Sequence, residues 1–189
     1  MCVEGQTTTS HITSCTFRNN TSSFGGGAIV IDGDVSSETN YTHTLDNCSF
    51  TGNSIEEGNG GGIYIASGFV TLNGISMSAN TIANNKNQDI FLYYQSSLTF
   101  DGTVDISNVY YNFATTTYPK LMVLSNFNQT SSVGITLSPS SGVTYPNSLQ
   151  LFTLEDGVDS FNWVNNFSIQ TEDGTTTYVL SNYGLITKQ

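Results

Sequence analysis

The 189 residues carry a formal charge of −11, with four Lys and Arg against fifteen Asp and Glu, which excludes a phosphate-binding surface built from clustered cations. Ser, Thr and Asn number 24, 26 and 20, whereas good helix formers are scarce, so the composition excludes a helical bundle and leans to strands. Eleven Phe and ten Tyr argue against disorder, and no apolar run approaches the ~18 residues that span a bilayer.

Met1 to Gly5 contains no signal peptide, so an export signal is expected elsewhere. Three cysteines cannot all pair internally. Cys2 reads as a residue near a cut end, with a lipidated mature N-terminus as the alternative. Further along, a pattern recurs: Cys15-Thr16-Phe17-Arg18-Asn19-Asn20 precedes Gly25-Gly26-Gly27-Ala28-Ile29-Val30-Ile31. Cys48-Ser49-Phe50-Thr51-Gly52-Asn53 precedes Gly60-Gly61-Gly62-Ile63-Tyr64-Ile65, and Ile75-Ser76-Met77-Ser78-Ala79-Asn80 precedes Asp89-Ile90-Phe91-Leu92. The intervals differ, 33 residues from Phe17 to Phe50 and 27 from Phe50 to Met77, as variable loops between fixed strands would require.

Side chains alternate faces along a strand, so the aligned copies predict columns of like residues. Ala28, Ile63 and Ile90 form one expected inward column; Val30, Ile65 and Leu92 form the next. Cys15, Cys48 and Ile75 form another, as do Phe17, Phe50 and Met77. Ile75 in the cysteine column shows that a hydrophobe satisfies the slot, so Cys15 and Cys48 need not be bonded, although a disulfide between neighbours is geometrically conceivable. Asn20, Asn53 and Asn80 are expected at a bend, where Asn tolerates left-handed backbone and its side chain can link successive copies. The glycine runs supply a sharp corner. Ile29, Tyr64 and Phe91 point outward in this alignment. They form a candidate contact surface, with packing beneath a loop as the alternative.

These residues resemble the chlamydial polymorphic outer membrane protein repeat, whose marks are Phe-x-x-Asn and Gly-Gly-Ala-Ile/Leu/Val. The motif residues are Phe17 and Asn20 with Gly26, Gly27, Ala28 and Ile29, then Phe50 and Asn53 with Gly61, Gly62 and Ile63. In the second copy Gly61-Gly62-Ile63-Tyr64 departs from the small third residue; in the third copy Met77 and Asp89-Ile90 degrade both marks. The likeness spans roughly residues 10 to 95. It implies a right-handed parallel β-helix and a surface-exposed or secreted adhesin whose partner is a host-cell protein or glycan. The family's translocation barrel has no counterpart here, since no run of ten-residue amphipathic strands is present.

Leu98 to Ile106 repeats the pattern of Val70 to Ile75 closely enough to be the next turn of the solenoid. Past about residue 115 the repeat signature is lost, although 121–124, 133–137, 149–154, 167–171 and 177–180 still read as short strands. Glu172-Asp173-Gly174 is a hairpin signal. The expected organisation is repeat turns over 1–115 and irregular further turns with a β-rich cap over 116–189. More turns are expected before residue 1, because an uncovered solenoid end exposes core and unpaired backbone.

Catalytic constellations are weak. Arg18 and Lys86 are placed in loops without an acidic cluster, and the net charge repels the polyanions on which β-helix lyases act. No carboxylate pair stands out for glycoside hydrolysis. Calcium is conceivable at Asp32-Gly33-Asp34 with Glu38 or Asp46, and at Glu155-Asp156 with Asp159, though acidic turn residues are more often merely solvated. His11 and His43 lack the companions of a metal site. The reading is a non-catalytic adhesin-like scaffold, with a plain structural shaft and, less favoured, a polysaccharide lyase or hydrolase as alternatives.

Overall fold

The computed structural model describes residues 1–5, 9–33, 42–156, 158 and 163–189. Over these residues the chain is all-β, built around a parallel, strongly curled sheet. Single 3-10 turns at Ala83–Asn85 and Val164–Asn166 are the helical structure among the described residues.

Successive passes of the chain lie beside one another in three registers. In the first, Cys2–Gly5, Ile29–Gly33 and the starts of the long strands Ile63–Ser78 and Ile90–Phe113 run side by side. In the second, His11–Thr13, Thr42–Asp46, the middles of both long strands, Lys120–Val123 and Phe152–Leu154 pair in turn. In the third, Thr16–Arg18, Ser49–Thr51, the ends of the long strands, Ser132–Pro139 and Phe167–Thr171 do so. Pairing therefore runs on past residue 115 without a break.

The columns make the core. Phe17, Phe50, Met77, Ile106, Val133 and Phe167 stand in one line, and Ile12, Leu45, Leu72, Phe100, Val123 and Leu154 in another. Phe50, Leu45, Leu72 and Phe100 are fully buried, each worth roughly 1.5–3 kcal/mol against exposure. Phe17 and Phe50 stack with centroids 4.7 Å apart and planes 4° from parallel, the spacing of neighbouring strands. Cys15 and Cys48 remain thiols: the Cys15 backbone N–H donates to Cys48 Sγ at 3.5 Å, and Cys48 Sγ donates to Ile12 O at 3.4 Å. Burial raises the Cys48 pKa, which disfavours its thiolate.

Two corners repeat as well, each with one left-handed residue per pass. Ser14, Asn47, Gly74 and Gly102 form one such set, with φ of 54°, 51°, 61° and 58°. Asn19, Gly52 and Ala79 form the other, at 54°, 65° and 55°. The left-handed residue is thus the one before Asn20, Asn53 and Asn80, which corrects the expectation that these three asparagines take that conformation themselves. Ala79 accepts it at a cost of about 1–2 kcal/mol.

The first strand register also differs from the expected alignment. Ile29 pairs with Ile63 and Ile90, and Ile31 with Ile65 and Leu92, one residue away from the predicted columns. The true equivalents are Gly26 and Gly60, then Gly27 and Gly61, then Ala28 and Gly62. The Gly27 N–H donates to Gly60 O at 2.9 Å and the Ala28 N–H to Gly62 O at 2.9 Å. Gly26 and Gly60 both have positive φ, and a Cβ on either would strike the carbonyl of Ile29 or Ile63. In this register Gly60-Gly61-Gly62-Ile63 keeps a small third residue, so the apparent departure of the second copy disappears.

At the C-terminal end, Ser148–Gln150, Leu185–Lys188 and Tyr178–Leu180 form an antiparallel three-stranded sheet. Glu172-Asp173-Gly174 is a turn, closed by the Gly174 N–H on Thr171 O at 3.1 Å. It is not a hairpin, because Phe167–Thr171 is already paired with Ser132–Pro139, leaving Tyr178–Leu180 to pair with Leu185–Lys188.

Candidate functional site

Val30, not Ile29, shares the outward column with Tyr64 and Phe91, and Ile29 is fully buried. Ile29 therefore leaves the candidate contact surface: with one residue fewer between Asn20 and the strand, the alternation carries Ile29 into the core and Val30 to the face. Tyr64 and Phe91 stack at 5.4 Å and 5°, and Phe91 continues to Tyr93 at 6.4 Å. Phe91 is only 6% exposed, whereas Val30 and Tyr64 are half-buried. Burial, and then the nearby Asp32 carboxylate, raise the Tyr64 pKa, so it stays a neutral phenol at physiological pH.

Next to this column the surface opens into a cavity of about 730 Å³, bordered by Phe17, Asn20, Phe24, Gly26, Val30 and Tyr64 among others. Its wall also includes Gly27 and Ala28, so most first-copy motif residues converge there. Phe50, Asn53, Gly61, Gly62 and Ile63 instead lie one pass deeper, and all five are buried. Phe24, on the rim, is 78% exposed.

The asparagines form a directional chain. Asn20 Nδ2 donates to Asn53 Oδ1 at 2.8 Å, Asn53 Nδ2 to Asn80 Oδ1 at 2.9 Å, and Asn80 Nδ2 to Asp89 Oδ1 at 2.7 Å. The same amides donate sideways, Asn53 to Phe17 O and Asn80 to Phe50 O, both at 3.0 Å. Asn53, Asn80 and Asp89 are fully buried. Asp89 occupies the slot of Ala28 and Gly62 and accepts the Asn108 N–H at 3.1 Å on its other oxygen. Burial lifts its pKa, against the opposing pull of these donors. Asp89 carries no mark in the sequence beyond being a lone acid in a column of small residues.

Lys86 is the other group that sequence reasoning underrated. It opens the short strand Lys86–Asn87, and Arg18 closes Thr16–Arg18, so neither lies in a loop. Lys86 Nζ sits 4.7 Å from the centre of the Tyr110 ring and 3.3 Å from Glu172 Oε1, and both partners hold its pKa up. A partner 86 residues away has no local signal.

The candidate calcium groups do not assemble among the described residues. Asp32 Oδ1 accepts from Ser67 Oγ at 2.9 Å, and Asp46 Oδ1 from Asn73 Nδ2 at 3.0 Å, on separate strands. Asp34, Glu38 and Asp159 lie outside the described residues. Glu155 accepts the Ser125 N–H at 2.8 Å. No group of three or more His, Cys, Asp or Glu converges among the described residues. His43 is buried on its strand with Nδ1 2.9 Å from Ser10 Oγ, and burial lowers its pKa. No described helix is long and apolar enough to cross a membrane.

Comparison with known proteins finds no family model that matches the chain, and no match among curated proteins or solved structures.

Proposed function

We propose that this chain is a section of a right-handed parallel β-helix of the polymorphic outer membrane protein type, displayed on a bacterial surface or secreted, and that it serves as a non-catalytic adhesive scaffold. The observation that carries this reading is the six-deep column Phe17, Phe50, Met77, Ile106, Val133 and Phe167, in which Phe-x-x-Asn stands on the first two passes and Met-x-x-Asn on the third. The half-buried Val30 and Tyr64 beside the cavity offer a partner an aromatic and aliphatic contact without a titrating group at neutral pH. A host-cell protein or glycan is the class of partner that such a surface suits.

A plain shaft is the second reading, favoured by the near-complete cover of Phe91. Saturable binding of the labelled chain to host cells and matrix-coated surfaces separates the two. Binding lost in a Val30→Ser/Tyr64→Ser variant of unchanged circular dichroism supports adhesion through the outward column. Binding kept by that variant moves the contact away from this column, and absence of binding on every surface favours the shaft.

A further inference from the structure

Pairing between the two long strands slips where the first register gives way to the second. Leu92 faces Ile65 and Gln95 faces Ser67, so residues 93 and 94 together stand opposite Ala66. Such a bulge bends its strand and re-aims the side chains beside it. Ser96 Oγ closes the bulge by donating to Tyr93 O. Just past it, Ser97 pairs with Phe69 on one side and with Lys120 on the other. An aromatic ring, a hydroxyl and an ammonium therefore stand in one cross-strand row, on strands about 4.8 Å apart.

Beside this row lies a cavity of about 330 Å³, at the small end of ordinary ligand sites. Phe69 and Tyr118, both half-buried, give it apolar walls, and Gln95, Ser97, Thr117 and Lys120 border it with polar groups. Tyr118 is held by stacking on Phe113 at 5.8 Å and by donating its hydroxyl to Thr115 O at 3.3 Å. The four polar side chains have no hydrogen-bond or ion-pair partner among the described residues. Ser97 is only 8% exposed, and a hydroxyl at that depth ordinarily has a partner. No carboxylate lies among the described residues bordering the cavity, which leaves the Lys120 charge unopposed there.

We propose that this recess binds one carboxylated pyranose, a sugar of the uronic acid class. The C–H face of the ring lies against Phe69 and Tyr118, its hydroxyls bond to Gln95, Ser97 and Thr117, and its carboxylate ends on Lys120. The order along the row selects the class: apolar at Phe69, hydroxyl-binding at Ser97, cationic at Lys120. A neutral sugar leaves the ammonium unused, and an apolar ligand leaves the Ser97 hydroxyl unpaired. The net charge of −11 favours a single carboxylate over a polyanion. This recess shares no lining residue with the cavity beside Val30 and Tyr64, so the inference holds whether or not the outward column is adhesive.

The test titrates methyl β-D-glucuronide and methyl β-D-glucoside separately into the full chain at low ionic strength, with amide chemical shifts as the readout. The expected result is saturable one-to-one binding of the glucuronide with Kd near about 1 mM, at least about fivefold tighter than the glucoside. Lys120→Met, at an exposed side chain, levels the two sugars, and Ser97→Ala weakens both by at least about threefold. Thr117→Val repeats the second arm should Ser97→Ala alter the circular dichroism. The Val30→Ser/Tyr64→Ser chain binds both sugars as the parent does, which separates this site from the outward column. No binding of the glucuronide up to about 20 mM overturns the proposal, as do equal affinities for the two sugars in the parent. A preference that survives Lys120→Met, or binding that Ser97→Ala and Thr117→Val both leave unchanged, also overturns it.

Discussion

The parallel body and the C-terminal antiparallel sheet are made from similar residues and bury them very differently. In the body each large side chain has a like neighbour in the pass before and the pass after, so Phe50, Leu72 and Ile65 are fully buried. In the sheet of Ser148–Gln150, Leu185–Lys188 and Tyr178–Leu180, Ile186 is covered, but Val179 is 50% exposed and Tyr183, in the adjoining turn, 80%. Burial in this molecule is a property of depth in the stack. An inward-facing residue with neighbours on both sides is core whatever its exact identity, which is why Phe, Met, Ile and Val share one column.

The comparison is sharpest in its largest expected effect. Phe50→Ala empties the middle of a column and loses the Phe17 stack, at about 3–5 kcal/mol in urea unfolding. Val179→Ala, on the C-terminal sheet, stays within about 0.5 kcal/mol. Equal effects from the two would break the distinction. Asn80→Ala comes next, at about 3 kcal/mol, because it strands the Asn53 amide, Phe50 O and the Asp89 carboxylate inside the body. An Asn80→Ala cost near zero would mean that the amide chain is not sealed from water.

The smallest effect concerns two carboxylates that titrate with opposite sign. Asp173, exposed in the C-terminal region, accepts the Thr176 and Thr175 backbone N–H groups at 3.0 and 2.9 Å, which hold it well below the usual carboxylate range. Its stabilisation is present above about pH 4 and is lost as pH falls through its folded pKa. Asp89, in the body, has a raised pKa, so its contribution to stability declines as pH rises above about 4 toward that folded value. An Asp173→Asn chain should therefore melt below the parent at pH 7, with the gap in Tm closing in acid. A gap that widens in acid would contradict the assignment.

Much of the body was legible because its marks are rigid. Phe-x-x-Asn keeps the same internal spacing at Phe17, Phe50 and, with Met, at Met77, since one strand residue and one left-handed corner residue must fit between core and amide chain. The following strand was misread by one residue in the first copy. Four small residues, Gly25 to Ala28, stand where the second copy has three, and Ala28 is apolar enough to pass as a core position. Only the backbone contacts of Gly26 and Gly60 show which glycines correspond. In the C-terminal region the strands were visible as β-branched and aromatic runs, but their partners were not. Phe167–Thr171 extends the third register from a distance of about thirty residues, which leaves the Asp173 turn with no hairpin to close. The cavity was half-visible, since Tyr64 and the first-copy motif residues were singled out without any sign that they meet.

The outward column and the cavity wall both follow from the register of Ile29–Gly33 on Ile63–Ser78. Thiol labelling under native conditions reads it directly, using I29C and V30C chains and mass analysis of the labelled peptide to separate these sites from Cys2 and Cys15. The account predicts that V30C is labelled within the mixing time of ordinary exposed thiols, and that I29C reacts only at the rate of unfolding. Equal labelling of the two, or faster labelling of I29C, would contradict it.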